Sequence, residues 1–168
     1  GIAGLTLLQY LAGRNFGIDE LFFHHNITTL TSHRGRMAPN TALCFVFISL
    51  GQIAYFFSQR DTKWKSLVAV MGGCALGISG LGLIGYFVDF KSTYGWGTLT
   101  RMALHTSFGH VYSSTLLLLL LSRRTQVQAS ELFFRVTFGI SLSLSFLGMF
   151  KLYQNSKVQV EVLHFQKQ

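Results

Sequence analysis

Acidic residues are scarce in this chain: six Asp and Glu stand against fourteen Lys and Arg, and the four charged types together make only 12% of the 168 residues. A soluble domain carries about 25%, so the composition excludes a surface of the usual water-exposed kind. There is one proline, so almost nothing interrupts long helices. Both cysteines, Cys44 and Cys74, lie inside apolar runs, which argues against a disulfide scaffold and leaves them silent on redox compartment. Paired carboxylates, a phosphate-cradling loop and a nucleophile beside a histidine and an acid are all missing from the pattern. No catalytic residue is therefore expected within the chain. The start at Gly1 has neither the basic opening nor the layout of a secretory signal peptide. The first apolar run, 1–13, is too short to span a bilayer, and we expect it to be the outer part of a truncated first helix.

What the sequence does have is hydrophobic length. Apolar residues make up 49% of the chain, and the charges cluster between uncharged runs of roughly 20 residues, enough for a helix to cross about 30 Å of hydrocarbon. The expected fold is all-α, a polytopic membrane bundle of about five transmembrane helices near 2–12, 37–57, 66–88, 102–121 and 132–150. Residues 1–130 form a four-helix module, and residues 131–168 supply a fifth helix and a polar tail. In that tail an alternating pattern and a helical stripe fit equally well, with continuation of the fifth helix the simpler reading. The formal charge of +8 lies at the ends of apolar runs, which points to anionic lipid headgroups and away from nucleic acid. Helix three is dense in glycine, and Gly73 and Gly77 have the spacing that lets backbones approach closely in lipid.

A short motif occurs twice. Arg36-Met37-Ala38-Pro39-Asn40-Thr41 opens one apolar run and Arg101-Met102-Ala103-Leu104-His105-Thr106 opens another, 65 residues later (101 − 36). Each reads as an arginine at a membrane surface followed by a helical turn that carries a polar pair inward. The repeat predicts two helical hairpins related by duplication, with both arginines on one side, here A. Side A holds Arg14, Arg34, Arg36, Lys91 and Arg101, and side B holds Arg60, Lys63, Lys65, Arg123 and Arg124. The tie leaves orientation to the shorter, less acidic connections of side B, which lean towards the cytoplasm.

The same motif supplies the candidate site. Arg36 and Asn40 share one helical face, and Arg101 and His105 another. If the two faces meet, they make a shallow pocket open to side A, lined by Arg36, Asn40, Thr41, Arg101, His105 and Thr106 and capped by Trp96, suited to an anionic group. The alternative is that these residues cap helices, anchor to phospholipid and bond one another. His110 falls close to mid-bilayer, with Ser113 and Ser114 next along the helix. It invites either single-histidine ligation of a haem or chlorin or a structural hydrogen bond. His105 and His110 lie about 140° apart around the helix and do not serve one macrocycle together. His24, His25 and His33 lack a recognisable ligand spacing, so no metal site is assigned to them.

The stretches Gly35-Arg36-Met37-Ala38-Pro39-Asn40-Thr41-Ala42-Leu43-Cys44-Phe45 and Tyr94-Gly95-Trp96-Gly97, the latter continuing through Leu99-Thr100-Arg101 to Thr106, resemble the multi-helix N-terminal membrane sensor region (MASE-like, preceding a CHASE-type domain) of bacterial sensor histidine kinases and diguanylate cyclases. The likeness covers about residues 4–121. It departs from the pattern at His110, where an apolar residue is usual, and in the histidine-rich outer loop. The resemblance implies a multi-pass protein of the bacterial inner membrane with side A periplasmic. It also implies a sensory, signal-transducing module whose kinase or cyclase output lies elsewhere. The competing expectation is a small accessory subunit of a respiratory or photosynthetic membrane complex, with haem or chlorin on a histidine. Membrane lipids, and a second copy or a larger membrane complex, are the expected partners.

Overall fold

Three of the uncharged runs become helices long and apolar enough to cross a membrane, and the all-helical architecture follows from them. The computed structural model describes residues 1–18, 36–88, 101–125, 128–145 and 149. Helix α1 spans Ile2–Ala12 and stops where Gly13 takes a left-handed conformation, φ 62°, which a glycine adopts without steric cost. Helix α2 spans Pro39–Phe57, with proline in its first turn, where no intrahelical donor is needed. Helix α3 spans Thr62–Phe87, α4 spans Leu104–Thr125 and α5 covers 129–145. No strand occurs among the described residues.

The largest boundary corrections fall at the start of α3 and the end of α4, and α5 begins at 129, three residues before the predicted 132. α3 begins four residues before the predicted Ser66, because the Asp61 side chain accepts a hydrogen bond from the Lys63 amide and caps the helix. Lys63 and Lys65, expected in the basic turn that spans Ser58 to Lys65, thus lie in the first turn of α3. α4 runs a further turn past Leu121 and takes Arg123 and Arg124 into its last turn, where cations complement the exposed carbonyls. The tail and the histidine-rich loop lie outside the described residues.

Contacts between helices give their directions. Phe45 meets His110, a Cβ on Gly51 would strike Leu117, and Arg124 stacks on Tyr55, so α2 and α4 run parallel. Their motif arginines accordingly enter from one side, as predicted. At that same end Tyr86 of α3 donates to the Met102 carbonyl, and Tyr10 of α1 donates to the Met37 carbonyl.

Helix α3 is the packing centre, and its glycines are distributed among its neighbours. Gly72 faces Leu118 of α4 and Gly82 faces Ser107. Gly73 and Gly77 face α5: a Cβ on Gly73 would lie 2.6 Å from the Val136 carbonyl oxygen, and one on Gly77 3.3 Å from the Ile140 Cα. α5 answers with small residues of its own, since a Cβ on Gly139 would lie 2.5 Å from the Val70 carbonyl oxygen. Ser143, four residues on, donates to the Cys74 carbonyl at 3.1 Å. Two backbones in van der Waals contact gain dispersion that lipid tails cannot replace. The α3 half of this seam is the glycine spacing predicted above. The α5 half, Gly139 with Ser143, has the same small-residue spacing and went unread.

Candidate functional site

Polar side chains gather at the end of the bundle where the motif arginines enter. Arg36 is 3% exposed, and its guanidinium donates to Asn15 Oδ1 at 3.3 Å and lies 5.3 Å from the Tyr10 ring centre. Asn15 Oδ1 also accepts from Gln9 Nε2 at 3.0 Å and from the Gly17 amide at 3.1 Å. One amide oxygen therefore ties α1, the chain after it and the entry to α2 together. Gln9 and Thr6, both fully buried, lie three apart on the face of α1 that meets α2. That pair, polar within an apolar run, was the sequence signal for this cluster, and it was missed.

The two copies of the motif are treated differently. Asn40 and Thr41 are buried, and the Thr41 amide donates to Asn40 Oδ1 at 3.2 Å. Arg101 and His105 are exposed, and Thr106 is half-buried. Among the described residues the two polar pairs thus differ in burial. Trp96, the predicted cap, lies outside the described residues, as do His24, His25 and His33. Asn40→Leu and His105→Leu should accordingly act independently. Their effects on thermal stability in detergent should add within about 0.5 kcal/mol, since one side chain is buried and the other exposed. A larger coupling in that double-mutant cycle would place the two side chains in one network after all.

His110, and not His105, is the histidine that faces α2. It is 4% exposed, its ring meets Phe45 edge to face at 4.5 Å, and its Nε2 is buried with no hydrogen-bond partner. Ser114 donates to the His110 carbonyl and leaves the ring untouched. An unpaired buried nitrogen costs about 1–3 kcal/mol. Protein atoms seal this nitrogen in the packed bundle, which leaves a macrocycle no access to it in this packing.

No group of three metal-ligating side chains occurs among the described residues. Their two acids, Asp61 and Glu131, are exposed and engaged, one as the cap of α3 and the other with Arg135 at 3.2 Å. Neither stands near a histidine, so no acid–base pair is assembled. Two arginines lie over aromatic rings at the far end, Arg124 on Tyr55 at 4.8 Å and Arg60 on Phe57 at 5.5 Å. Residues two apart point to opposite sides of a helix, so these cations do not converge on a single headgroup.

A cavity of about 280 Å³ opens between α2, α3 and α5, lined by Leu43, Phe47, Cys74, Ile78, Leu142 and Ser143. The Ser143 hydroxyl is spent on the Cys74 and Gly139 carbonyls, and the Cys74 thiol on the Gly139 carbonyl. The wall therefore presents no spare donor, and its chemistry is that of hydrocarbon.

The fold and its polar groups define an all-helical membrane protein organised around a glycine-rich central helix, with one buried polar cluster at an end and one sealed histidine within. No protein-family model, curated protein or solved structure matches this chain.

Proposed function

We propose that the chain is a membrane-embedded sensory and signal-transducing module of a bacterial receptor, seated in the cytoplasmic membrane and without catalysis of its own. In this reading α2 to α5 cross the bilayer, α1 is the outer part of a further crossing helix, and the first four form two duplicated hairpins. The observation that carries it is the seam between α3 and α5. Backbone contact at Gly73, Gly77 and Gly139 makes any displacement of α5 a displacement of the central helix, which is what a transmitting helix requires. The duplication draws support from register. Phe45 meets His110 and Cys74 meets Gly139, both pairs 65 residues apart, the same offset that separates the two motifs. The likeness of those motifs to bacterial sensor regions supplies the sensory part of the reading. Arg36, Asn40 and Thr41 are the proposed ligand-responsive groups, with Arg101, His105 and Thr106 at the surface of the same end.

Purification from native membranes tests this directly. The tagged protein is expected as a single polypeptide species, alone or as a homodimer, with no Soret band in its visible spectrum. Fixed-ratio recovery with different polypeptides, or a haem or chlorin spectrum, would replace the receptor reading by that of an accessory subunit.

A further inference from the structure

We propose that the cavity between α2, α3 and α5 holds one acyl chain of a bilayer phospholipid, taken in sideways from the hydrocarbon around the bundle. The proposal rests on α2 and α3 lying in a membrane and stands apart from the sensory reading.

The cavity is kept open by where its walls are fastened. Cys74 and Ala75 are neighbours in sequence, so they lie about 100° apart around α3. α2 is tied to one of them, the Cys44 thiol donating to the Ala75 carbonyl at 3.7 Å. α5 is tied to the other, the Ser143 hydroxyl donating to the Cys74 carbonyl at 3.1 Å. The backbone contacts at Gly73 and Gly77 add to the hold on α5. α2 and α5 are thus fixed to different flanks of α3, and a wedge stays between them. Protein interiors leave few voids larger than a water molecule, so about 280 Å³ is far more than a packing defect.

The wedge opens towards the side of the bundle. Cys74, Ile78 and Ser143 form a buried floor, Leu43 and Phe47 are half-buried on the α2 rim, and Leu142 on the α5 rim is 50% exposed. α2 and α3 are long and apolar enough to cross a membrane, so the phase at this opening is hydrocarbon. Leu43 and Phe47 lie about 6 and 12 Å along α2 from its first residue. That is the depth of the chains in the leaflet at the motif end, given a hydrocarbon core about 30 Å thick.

The wall selects the occupant. A water needs about 2–4 polar partners, yet Cys74 and Ser143 spend their protons on backbone carbonyls and no polar wall atom faces the cavity. A headgroup or a peptide backbone would leave its polar groups unmatched there. A dry apolar cavity of about 150 Å³ accepts benzene, so this one takes a longer hydrocarbon segment. In a bilayer that segment is the phospholipid chain, which is the solvent itself.

The test begins with the full chain reconstituted in dioleoyl phosphatidylcholine vesicles, then extracted and washed in detergent. Native mass spectrometry should find one phospholipid retained per chain. Leu43→Trp and Leu142→Trp fill the cavity from opposite rims, and each should lose that lipid. Phe45→Trp, at the same depth on α2 but on an exposed face, should keep it. In the vesicles, a phosphatidylcholine with a diazirine midway along one chain should label Leu43, Phe47 and Leu142 from the cavity and Phe45 from the surrounding lipid. Leu142→Trp should abolish the labelling of Leu43 and Phe47 and leave that of Phe45 unchanged. The pattern in the parent protein needs no variant to fold. A washed parent without phospholipid, a free fatty acid in its place, or labelling of Phe45 alone would each overturn the proposal. So would a filled variant that melts with the parent and still carries the lipid.

Discussion

Gly139→Leu is expected to detach α5 from α3, the largest single effect that a side-chain addition can have in this bundle. The first carbon alone would fall 2.5 Å from the Val70 carbonyl oxygen, 3.1 Å from the Cys74 amide nitrogen and 3.2 Å from the Gly73 Cα. All three obstacles are backbone, so no rotamer change relieves them and the helices must part. Overpacking in a core costs about 1–3 kcal/mol where side chains can yield, and here they cannot. Separation also strips Cys74 and Ser143 of their cross-helix carbonyl partners. Gly80→Leu and Gly109→Leu are the controls, since a Cβ at either meets nothing within 4 Å, and both should melt within about 1 kcal/mol of the parent, the helix preference of leucine offsetting any loss. The comparison needs only thermal unfolding in detergent and protease sensitivity of the α4–α5 connection. A Gly139→Leu protein as stable and as protease-resistant as the Gly80→Leu control would mean that α5 does not sit on α3 as described.

That seam also shows what the sequence discloses and what it hides. Long uncharged runs place α2, α3 and α4 without reference to packing, because hydrocarbon leaves a backbone no alternative to its own hydrogen bonds. Gly73 and Gly77 announce a close contact, but a glycine pair does not name its partner. Only the structure pairs it with Gly139 and Ser143. The start of α3 was hidden by charge: Lys63 and Lys65 look like a turn until Asp61 is recognised as a cap.

The two copies of the motif differ in a more instructive way. Asn40 and His105 hold the same place in their helices, the second residue of α2 and the second of α4. Sequence symmetry makes them equivalent, yet Asn40 is buried and His105 exposed. The difference comes from α1, which packs on α2 and fastens to it through Tyr10 and Met37. No described helix occupies the matching position beside α4. A duplicated motif fixes local conformation twice, but burial belongs to whatever stands next to it. The same logic explains His110, five residues beyond His105 and turned about 140° towards α2.

The polar cluster that α1 completes should be the second most sensitive part of the molecule, and Asn15 is its centre. Asn15→Leu removes the oxygen that accepts from Gln9, Gly17 and Arg36. The two buried donors, Gln9 and Arg36, then each lose a partner, at about 1–3 kcal/mol for a group that finds no replacement. Arg36 carries the larger share, because hydrogen bonds to a charged group are the stronger ones and its side chain is only 3% exposed. The expected outcome is a lower unfolding temperature together with release of α1 from α2. Release is measurable as faster tryptic cleavage after the exposed Arg14, since cleavage follows the population of locally opened chain. Asn15→Asp keeps the accepting oxygen and sets a negative charge beside Arg36, so it should preserve docking or strengthen it, most clearly at low ionic strength. Equal cleavage rates for the parent, Asn15→Leu and Asn15→Asp would show that α1 is held by its apolar face alone and that Arg36 is anchored without Asn15.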